Sequence, residues 1–181
     1  MISDLRSSFL MRLNLLFFVL MIFAAGALHA KPEHLPVTMK TVGQAELKLL
    51  WFSLYTATLA SPEGRFISVS GPLLLTLKYK RKISRQNLLD ETEKQWDRAG
   101  IDVDSYAPWL LRLKEIWPDI SQGDSLAFFQ TAEGEGRFYY NQQHIGTLSD
   151  RKFSKAFLNI WLSDNSYFPQ LTKALTGRTG D

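Results

Sequence analysis

The sequence predicts an α+β fold in which strands and helices form separate runs along the chain. Apolar and polar residues alternate between residues 37 and 79, which is typical of half-buried strands. The period rises to about 3.6 residues between 84 and 117, as in helices, returns to alternation between 125 and 148, and becomes helical again from 150. This grouping favours a layered α+β domain over repeated α/β units.

The first 30 residues precede this pattern and have the features of a secretory signal peptide. Arg12 is followed by an almost wholly apolar run from Leu13 to Ala25 and then by small residues, the order that a signal peptidase substrate requires. We expect cleavage after Ala30 or after Ala27. Because the run is shorter than the roughly 20 apolar residues that span a bilayer, the mature chain is expected to be periplasmic or secreted, with no stable membrane span.

Removal of residues 1–30 leaves a single expected domain, residues 31–181, which is large enough to bury a core. It keeps 19 basic and 17 acidic residues, a balance that predicts no nucleic-acid partner. The sequence has no cysteine, which excludes disulfides and thiolate metal sites, and the domain has too few histidines for a His-rich metal site. We therefore expect no metal and no cofactor.

The first half of the domain predicts strands wherever apolar and β-branched residues alternate with polar ones. A linker with two prolines, residues 31–36, precedes them. The predicted strands are Val37–Lys40, Ala45–Leu49, Leu54–Leu59, Phe66–Val69 and Leu73–Tyr79.

Two helices are predicted to interrupt the sheet. Ser84 can cap a helix that carries Leu88 and Trp96 on one apolar side and stops at Gly100. A second helix is expected from Pro108 to Trp117, because proline suits the first turn of a helix.

The sheet is predicted to resume after these helices and to be followed by two more. One helix is expected from about Asp150 to Leu162, where apolar residues form a wide stripe, and a last one ends at Gly177. Asn141 and Gln142 are expected to form a turn between two strands. The predicted strands are Ser125–Phe129, Arg137–Tyr140 and Gln143–Leu148.

The domain has no common catalytic motif. It contains no nucleophile elbow, no phosphate-cradling glycine loop before a helix and no zinc-protease helix motif. Gly134 and Gly136 lie between two predicted strands, so they indicate a hairpin turn rather than a phosphate loop. The familiar hydrolase signatures are therefore absent.

Charged side chains cluster around the first predicted helix. Asp90 and Lys94 form an i,i+4 pair, which favours a solvated helix side over acid–base chemistry. Glu91 lies one turn from Leu88 and is expected closer to the sheet. The segment 80–85 contains four basic residues, and it predicts a solvated loop or, at the mouth of a pocket, a site for an anionic head group.

Several short pieces of the sequence occur in the order of one known family. They are Gly43–Leu47, Trp51–Leu59, Leu75–Tyr79, Trp96–Gly100, Phe138–Gly146 and Phe157–Leu162. Over residues 40–177 the chain thus resembles the chalcone isomerase family, in particular its bacterial exported branch. The resemblance implies an open-faced β-sandwich, with a large antiparallel sheet, helices packed on one face and a ligand cleft between the layers.

The resemblance also implies positions for the polar residues with which the plant enzymes close a chalcone to a flavanone. Their arginine falls at about Gly43, their threonine at Ser53, their tyrosine at Ser84 and their asparagine at Glu91. Only Ser53 keeps comparable chemistry. Because the cyclisation needs positive charge beside the developing enolate, the missing arginine argues against this reaction.

Two functions remain after this comparison. The first is a non-catalytic binder of an apolar or amphipathic small molecule such as a fatty acid, since related family members resemble fatty-acid-binding proteins and the apolar stripes suit such a cleft. The alternative is an isomerase or intramolecular lyase with an unknown substrate. No catalytic residue is assigned, and the predicted ligand-binding residues are Ser53, Tyr55, Ser84 and Glu91.

Overall fold

The computed structural model describes residue 35 and residues 38–49 and 51–178. The predicted signal peptide and its cleavage sites lie outside these residues. Within them, six antiparallel strands neighbour one another in chain order across one sheet. The strands are β1 (Lys40–Leu49), β2 (Phe52–Ser61), β3 (Leu73–Tyr79), β4 (Ser125–Gln130), β5 (Gly136–Tyr140) and β6 (Gln143–Leu148).

Four helices lie in the described part of the chain. Two of them connect β3 to β4 and two follow β6. None of the four is long and apolar enough to cross a membrane. They are α1 (Arg85–Arg98), α2 (Val103–Ile116), α3 (Arg151–Leu162) and α4 (Pro169–Thr176).

The two faces of the sheet differ in polarity. Leu75 and Leu77 of β3 are buried on the inner face, which the helices cover. On the outer face, the side chain of Gln44 donates a hydrogen bond to the Thr58 hydroxyl at 3.2 Å. Because neighbouring side chains on a strand point to opposite faces, the alternation in the sequence produces this contrast, and the predicted open-faced α+β fold is confirmed.

An aromatic cluster joins the helices to the sheet. Phe153 and Phe157 of α3 pack on Phe128 of β4 and Phe138 of β5, with ring centroids 4.7 to 6.1 Å apart. Trp96 of α1 meets Phe153 edge-on at 6.2 Å. Aromatic pairs of this kind contribute about 0.5–1.5 kcal/mol each beyond the burial of their area, so the cluster stabilises the packing of α3 on the sheet.

Two tryptophans add hydrogen bonds between the helices. The Trp96 indole donates to the Ala156 carbonyl of α3 at 3.2 Å. The Trp109 indole of α2 donates at 2.9 Å to Asp150, whose carboxylate also accepts the backbone N–H of Lys152 and caps α3. Buried polar groups are thereby satisfied, and three helices are fixed relative to one another.

Several predicted boundaries and turns are confirmed. The Ser84 hydroxyl accepts the Asn87 N–H at 3.2 Å and caps α1. Asn141 and Gln142 have φ values of 48° and 72°, the left-handed pair that a tight two-residue hairpin turn requires. The last helix ends at Gly177, also in the left-handed conformation.

Two strand predictions need correction. Residues Phe66–Val69 form no strand, because β2 pairs directly with β3 and leaves this segment as an irregular connection. The alternation at residues 37–49 was expected to give two strands, but Lys40–Leu49 is one strand. It continues past Gly43 because a register shift between Thr41 and Gly43 absorbs the irregularity.

The second helix begins earlier than predicted. It starts at Val103, where the Asp102 side chain accepts the Asp104 N–H at 3.1 Å. Pro108 therefore lies inside α2 rather than in its first turn. A proline there removes one helical hydrogen bond, and the N-terminal cap and the buried Trp109 compensate for that loss.

Gly43 lies where α4 crosses β1. A Cβ atom at this position would be 2.2 Å from the Ala174 carbonyl oxygen and 2.6 Å from that of Leu175. Both atoms belong to the helix backbone, so neither can rotate away. The close contact between strand and helix therefore requires glycine.

We predict that Gly43→Ala destabilises the fold by about 2–3 kcal/mol or more, because α4 must move away from the sheet. The measurement is the free energy of unfolding in urea. Gly71→Ala is the matched control, since its Cβ would meet nothing within 4 Å, and a change of about 0.5 kcal/mol or less is expected. Equal stability of the two variants would contradict the packing argument.

Candidate functional site

A cavity of about 410 Å³ lies between the inner face of the sheet and helices α1 and α3. Its volume is within the roughly 300–1,000 Å³ typical of small-molecule sites. The sheet contributes Leu47, Leu54, Tyr55, Leu77, Tyr79 and Leu126, helix α1 contributes Asn87, Leu88, Glu91, Thr92, Gln95 and Arg98, and the rest of the wall is Ile83, Trp117, Phe157, Ile160, Trp161, Tyr167 and Phe168.

A bulge in β2 decides which of its side chains face the cavity. Leu47 of β1 pairs with Tyr55, and the next residue, Lys48, pairs with Ser53, so Leu54 is an extra residue in β2. A bulge changes the face to which the following side chains point. Leu54 consequently joins the cavity wall, and Ser53 is aligned with the exposed Lys48.

Ser53 lies outside the cavity wall, with its hydroxyl bonded to Glu46. The same carboxylate pairs with Lys80 and, at 3.3 Å, with Lys48. These partners, Lys80 first and Ser53 second, lower the pKa of Glu46 to about 2. The Ser53 hydroxyl therefore belongs to a charged cluster at the sheet edge.

Of the three other predicted ligand-binding residues, two line the cavity and one caps a helix. Ser84 is absent from the wall, and its hydroxyl is used in capping α1. Glu91 lies in the wall and is exposed, so it stands at the mouth of the cavity. Its carboxylate accepts a hydrogen bond from Gln95 at 2.7 Å and lies 3.9 Å from Arg98. Tyr55, the fourth predicted residue, also lines the cavity.

Tyr55 and Tyr79 place two phenols in the otherwise apolar sheet wall. The Tyr55 hydroxyl accepts a hydrogen bond from the Trp161 indole at 2.9 Å, and among the described residues no acceptor takes its proton. Burial raises the pKa of Tyr55 to about 12, and the nearby Glu91 charge adds to this shift. Burial also raises the pKa of Tyr79, whose ring meets Tyr55 at 5.6 Å. Both phenols remain protonated at neutral pH.

The cavity wall contains two polar residues that the sequence analysis did not select, the buried Gln95 and the exposed Arg98. The Arg98 guanidinium stacks on the Tyr167 ring, 4.3 Å from its centroid, which connects α1 to the segment before α4. The sequence did contain a signal for these two residues. Polar residues recur at intervals of three or four along α1, at Asn87, Glu91, Gln95 and Arg98. They form a polar stripe beside the apolar one.

The polar groups of the cavity wall come mainly from α1 and from the two tyrosines of the sheet. Glu91 contacts Gln95 and acts electrostatically on Tyr55, whereas Leu126, Trp117 and Phe157 form an apolar remainder. No group of acidic or histidine side chains in the described residues has the arrangement of a metal site. The arrangement suits a molecule with one polar end and a larger apolar part.

One sheet with helices on a single face and a ligand-sized cavity between them defines the class of an open-faced α+β domain. The model of the chalcone isomerase-like family matches residues 44–177. The chain therefore belongs to the chalcone isomerase-like family, which confirms the resemblance seen in its sequence.

Two further comparisons agree with this assignment. An uncharacterized protein of Haemophilus influenzae is 30% identical over 138 residues, which cover 76% of this chain and 68% of that protein. The fold is similar to the crystal structure of a fatty-acid binding protein from Arabidopsis thaliana, with a TM-score of 0.61 and 10% identity, covering 82% of this chain and 91% of that one. At this identity the second likeness concerns the fold.

We predict that Tyr55→Phe reduces the loss of stability at alkaline pH. The pKa of Tyr55 is about 12 in the folded state and about 10 in the unfolded state. The contribution of the protonated Tyr55 phenol to the free energy of unfolding is therefore complete below pH 10 and is lost as pH rises toward 12. Between pH 9 and 11 the wild type should lose roughly 1 kcal/mol more than the variant. Urea unfolding at the two pH values measures the difference, and equal losses would contradict it.

Proposed function

We propose that this protein binds an apolar or amphipathic small molecule of the fatty-acid class between its sheet and helices and performs no isomerisation on it. The observation that carries the proposal is the cavity of about 410 Å³, whose mainly apolar wall contains a small set of polar side chains. Such a wall suits a ligand of this class, which has one polar end and a long apolar body.

The polar end of the ligand would lie near Tyr55 and Arg98. A carboxylate accepts hydrogen bonds strongly from a neutral phenol or a guanidinium. Tyr55 retains its proton at neutral pH, and Arg98 is the cationic residue in the wall of the described cavity. The acyl part would extend along Leu126 and Phe157, where its burial is favourable at about 25 cal/mol per Å² of apolar surface.

The positions implied by the plant enzymes support binding over isomerisation. No side chain fits at Gly43, the position of the enzyme's arginine, because α4 backbone atoms lie within 2.6 Å of a Cβ there. Ser53 is bonded to Glu46 and Ser84 caps α1. Of the four positions, Glu91 alone lines the cavity. The similar fold of a protein named for fatty-acid binding adds support.

We predict that native protein carries a fatty-acid-like ligand and that Leu88→Trp displaces it. Leu88 is a half-buried residue of the cavity wall, so a larger ring there occupies ligand space. Native mass spectrometry followed by lipid extraction should show at least a several-fold loss of ligand. Leu111→Trp is the matched control, because this leucine of α2 is 67% exposed and should leave ligand content unchanged.

Three outcomes would contradict this proposal. They are a protein that never contains lipid, an equal loss of lipid in the two variants, and a protein without lipid that converts an enone substrate. The last would support the isomerase alternative. Circular dichroism and unfolding measurements on both variants distinguish a blocked cavity from an unfolded chain.

We also propose that the protein is exported and that its N-terminal segment is removed. The support comes from the sequence, in which Arg12, an apolar run and a small-residue site follow one another. The mature chain would then bind its ligand in the periplasm or outside the cell.

We predict that the intact mass of the protein, expressed from the full sequence in a bacterium, corresponds to a chain that begins at Lys31 or Leu28. Cell fractionation should place this species in the periplasm or the medium. Ala30→Leu together with Ala27→Leu should block cleavage, because signal peptidase requires small residues. A full-length mass in the cytoplasm of wild-type cells would contradict export.

A further inference from the structure

The hairpin that joins β1 to β2 exposes two aromatic side chains. Leu49 pairs with Phe52 across the two strands, and Trp51 directly precedes Phe52 in the chain. Trp51 is 76% exposed and Phe52 is 43% exposed, with their rings 5.4 Å apart. Two adjacent aromatic rings at the end of a hairpin are not needed for the core.

Basic residues surround this tip. The Arg81 guanidinium lies 4.1 Å from the centroid of the Phe52 ring, and Lys82 follows it in an exposed position. Lys48 and Lys80 are also close, although they share Glu46 as a partner. Hereafter Trp51, Phe52, Arg81 and Lys82 are called the hairpin patch.

The hairpin patch lies at the same end of the sheet as the cavity. Leu54 of the cavity wall is two residues from Phe52, and Ile83 of the wall directly follows Lys82. A surface that covers the patch would therefore lie beside residues that line the cavity.

We propose that the hairpin patch docks the protein on an anionic lipid surface. Tryptophan is favoured at the boundary between water and acyl chains because its ring is apolar and its N–H is polar. Arginine and lysine next to it can keep their charges among anionic head groups. The tip has two exposed rings and adjacent cations that form no salt bridge with the described residues, and this combination fits a lipid surface better than an apolar protein groove.

The tryptophans provide a direct measurement of docking. Trp51 is exposed, whereas the four other tryptophans are 8% exposed or less. Fluorescence quenching by iodide should therefore report mainly on Trp51. With the protein purified from cells that express the full sequence, vesicles of phosphatidylcholine and phosphatidylglycerol should shift the emission to the blue and protect it from iodide. Vesicles of phosphatidylcholine alone should do so at least tenfold more weakly.

Vesicle flotation of two double variants tests the two parts of the patch. Trp51→Ser with Phe52→Ser should lower the partition coefficient at least tenfold. Arg81→Gln with Lys82→Gln should lower it by about 25-fold, since each of the two cations contributes roughly fivefold near an anionic surface. High salt should weaken wild-type binding. The matched controls are Val103→Ser with Leu111→Ser, which remove exposed apolar residues of α2, and Lys152→Gln with Lys155→Gln, which remove exposed cations of α3.

The proposal is overturned if wild-type protein ignores anionic vesicles, binds neutral ones equally well, or loses binding equally in the control variants. Concentration-dependent self-association abolished by Trp51→Ser would assign the patch to a second copy and would also overturn it. Lipid extraction from the same variants separates docking from ligand binding. Ligand content should be unchanged in the patch variants, so either proposal can fail while the other stands.

Discussion

Everything in this domain depends on the contact of one helical layer with one face of a sheet. Because the outer face carries polar residues such as Gln44 and Thr58, the main hydrophobic core must form on the inner face. Phe153 and Phe157 concentrate that burial against β4 and β5. The aromatic cluster therefore packs directly beside the cavity, to whose wall Phe157 also belongs.

Two tryptophans connect the aromatic cluster to the cavity. Trp161 belongs to the helix of the aromatic cluster, and its ring meets Phe157 at 5.2 Å, yet its indole fixes the Tyr55 hydroxyl in the cavity. Trp96 fixes α1 to α3, and α1 supplies the polar stripe of the cavity wall. The orientation of the Tyr55 hydroxyl in the cavity is therefore set by the packed core.

The periodicity of the sequence was sufficient to predict which segments form helices and most strands. It was insufficient where contacts between distant segments determine whether a strand forms or which way a side chain points. The strand β3 was recognised from its row of alternating leucines, whereas β1 was divided into two and Phe66–Val69 alternates but has no partner strand. Simple alternation places Ser53 and Tyr55 on one face, but the bulge at Leu54 separates them. Arg98 was overlooked because its stacking partner, Tyr167, is far away in the chain. Tyr55 and Glu91 do share the cavity, although their role in binding stays a prediction.

The contact at Gly43 has a consequence for how this strand can change during evolution. A strand position occupied by the backbone of α4 cannot acquire a long side chain by one codon change, because the carbonyl oxygens of Ala174 and Leu175 already fill the space. The C-terminal helix would first have to shift or shorten, so a new functional group at this position requires a rearranged backbone as well as a substitution.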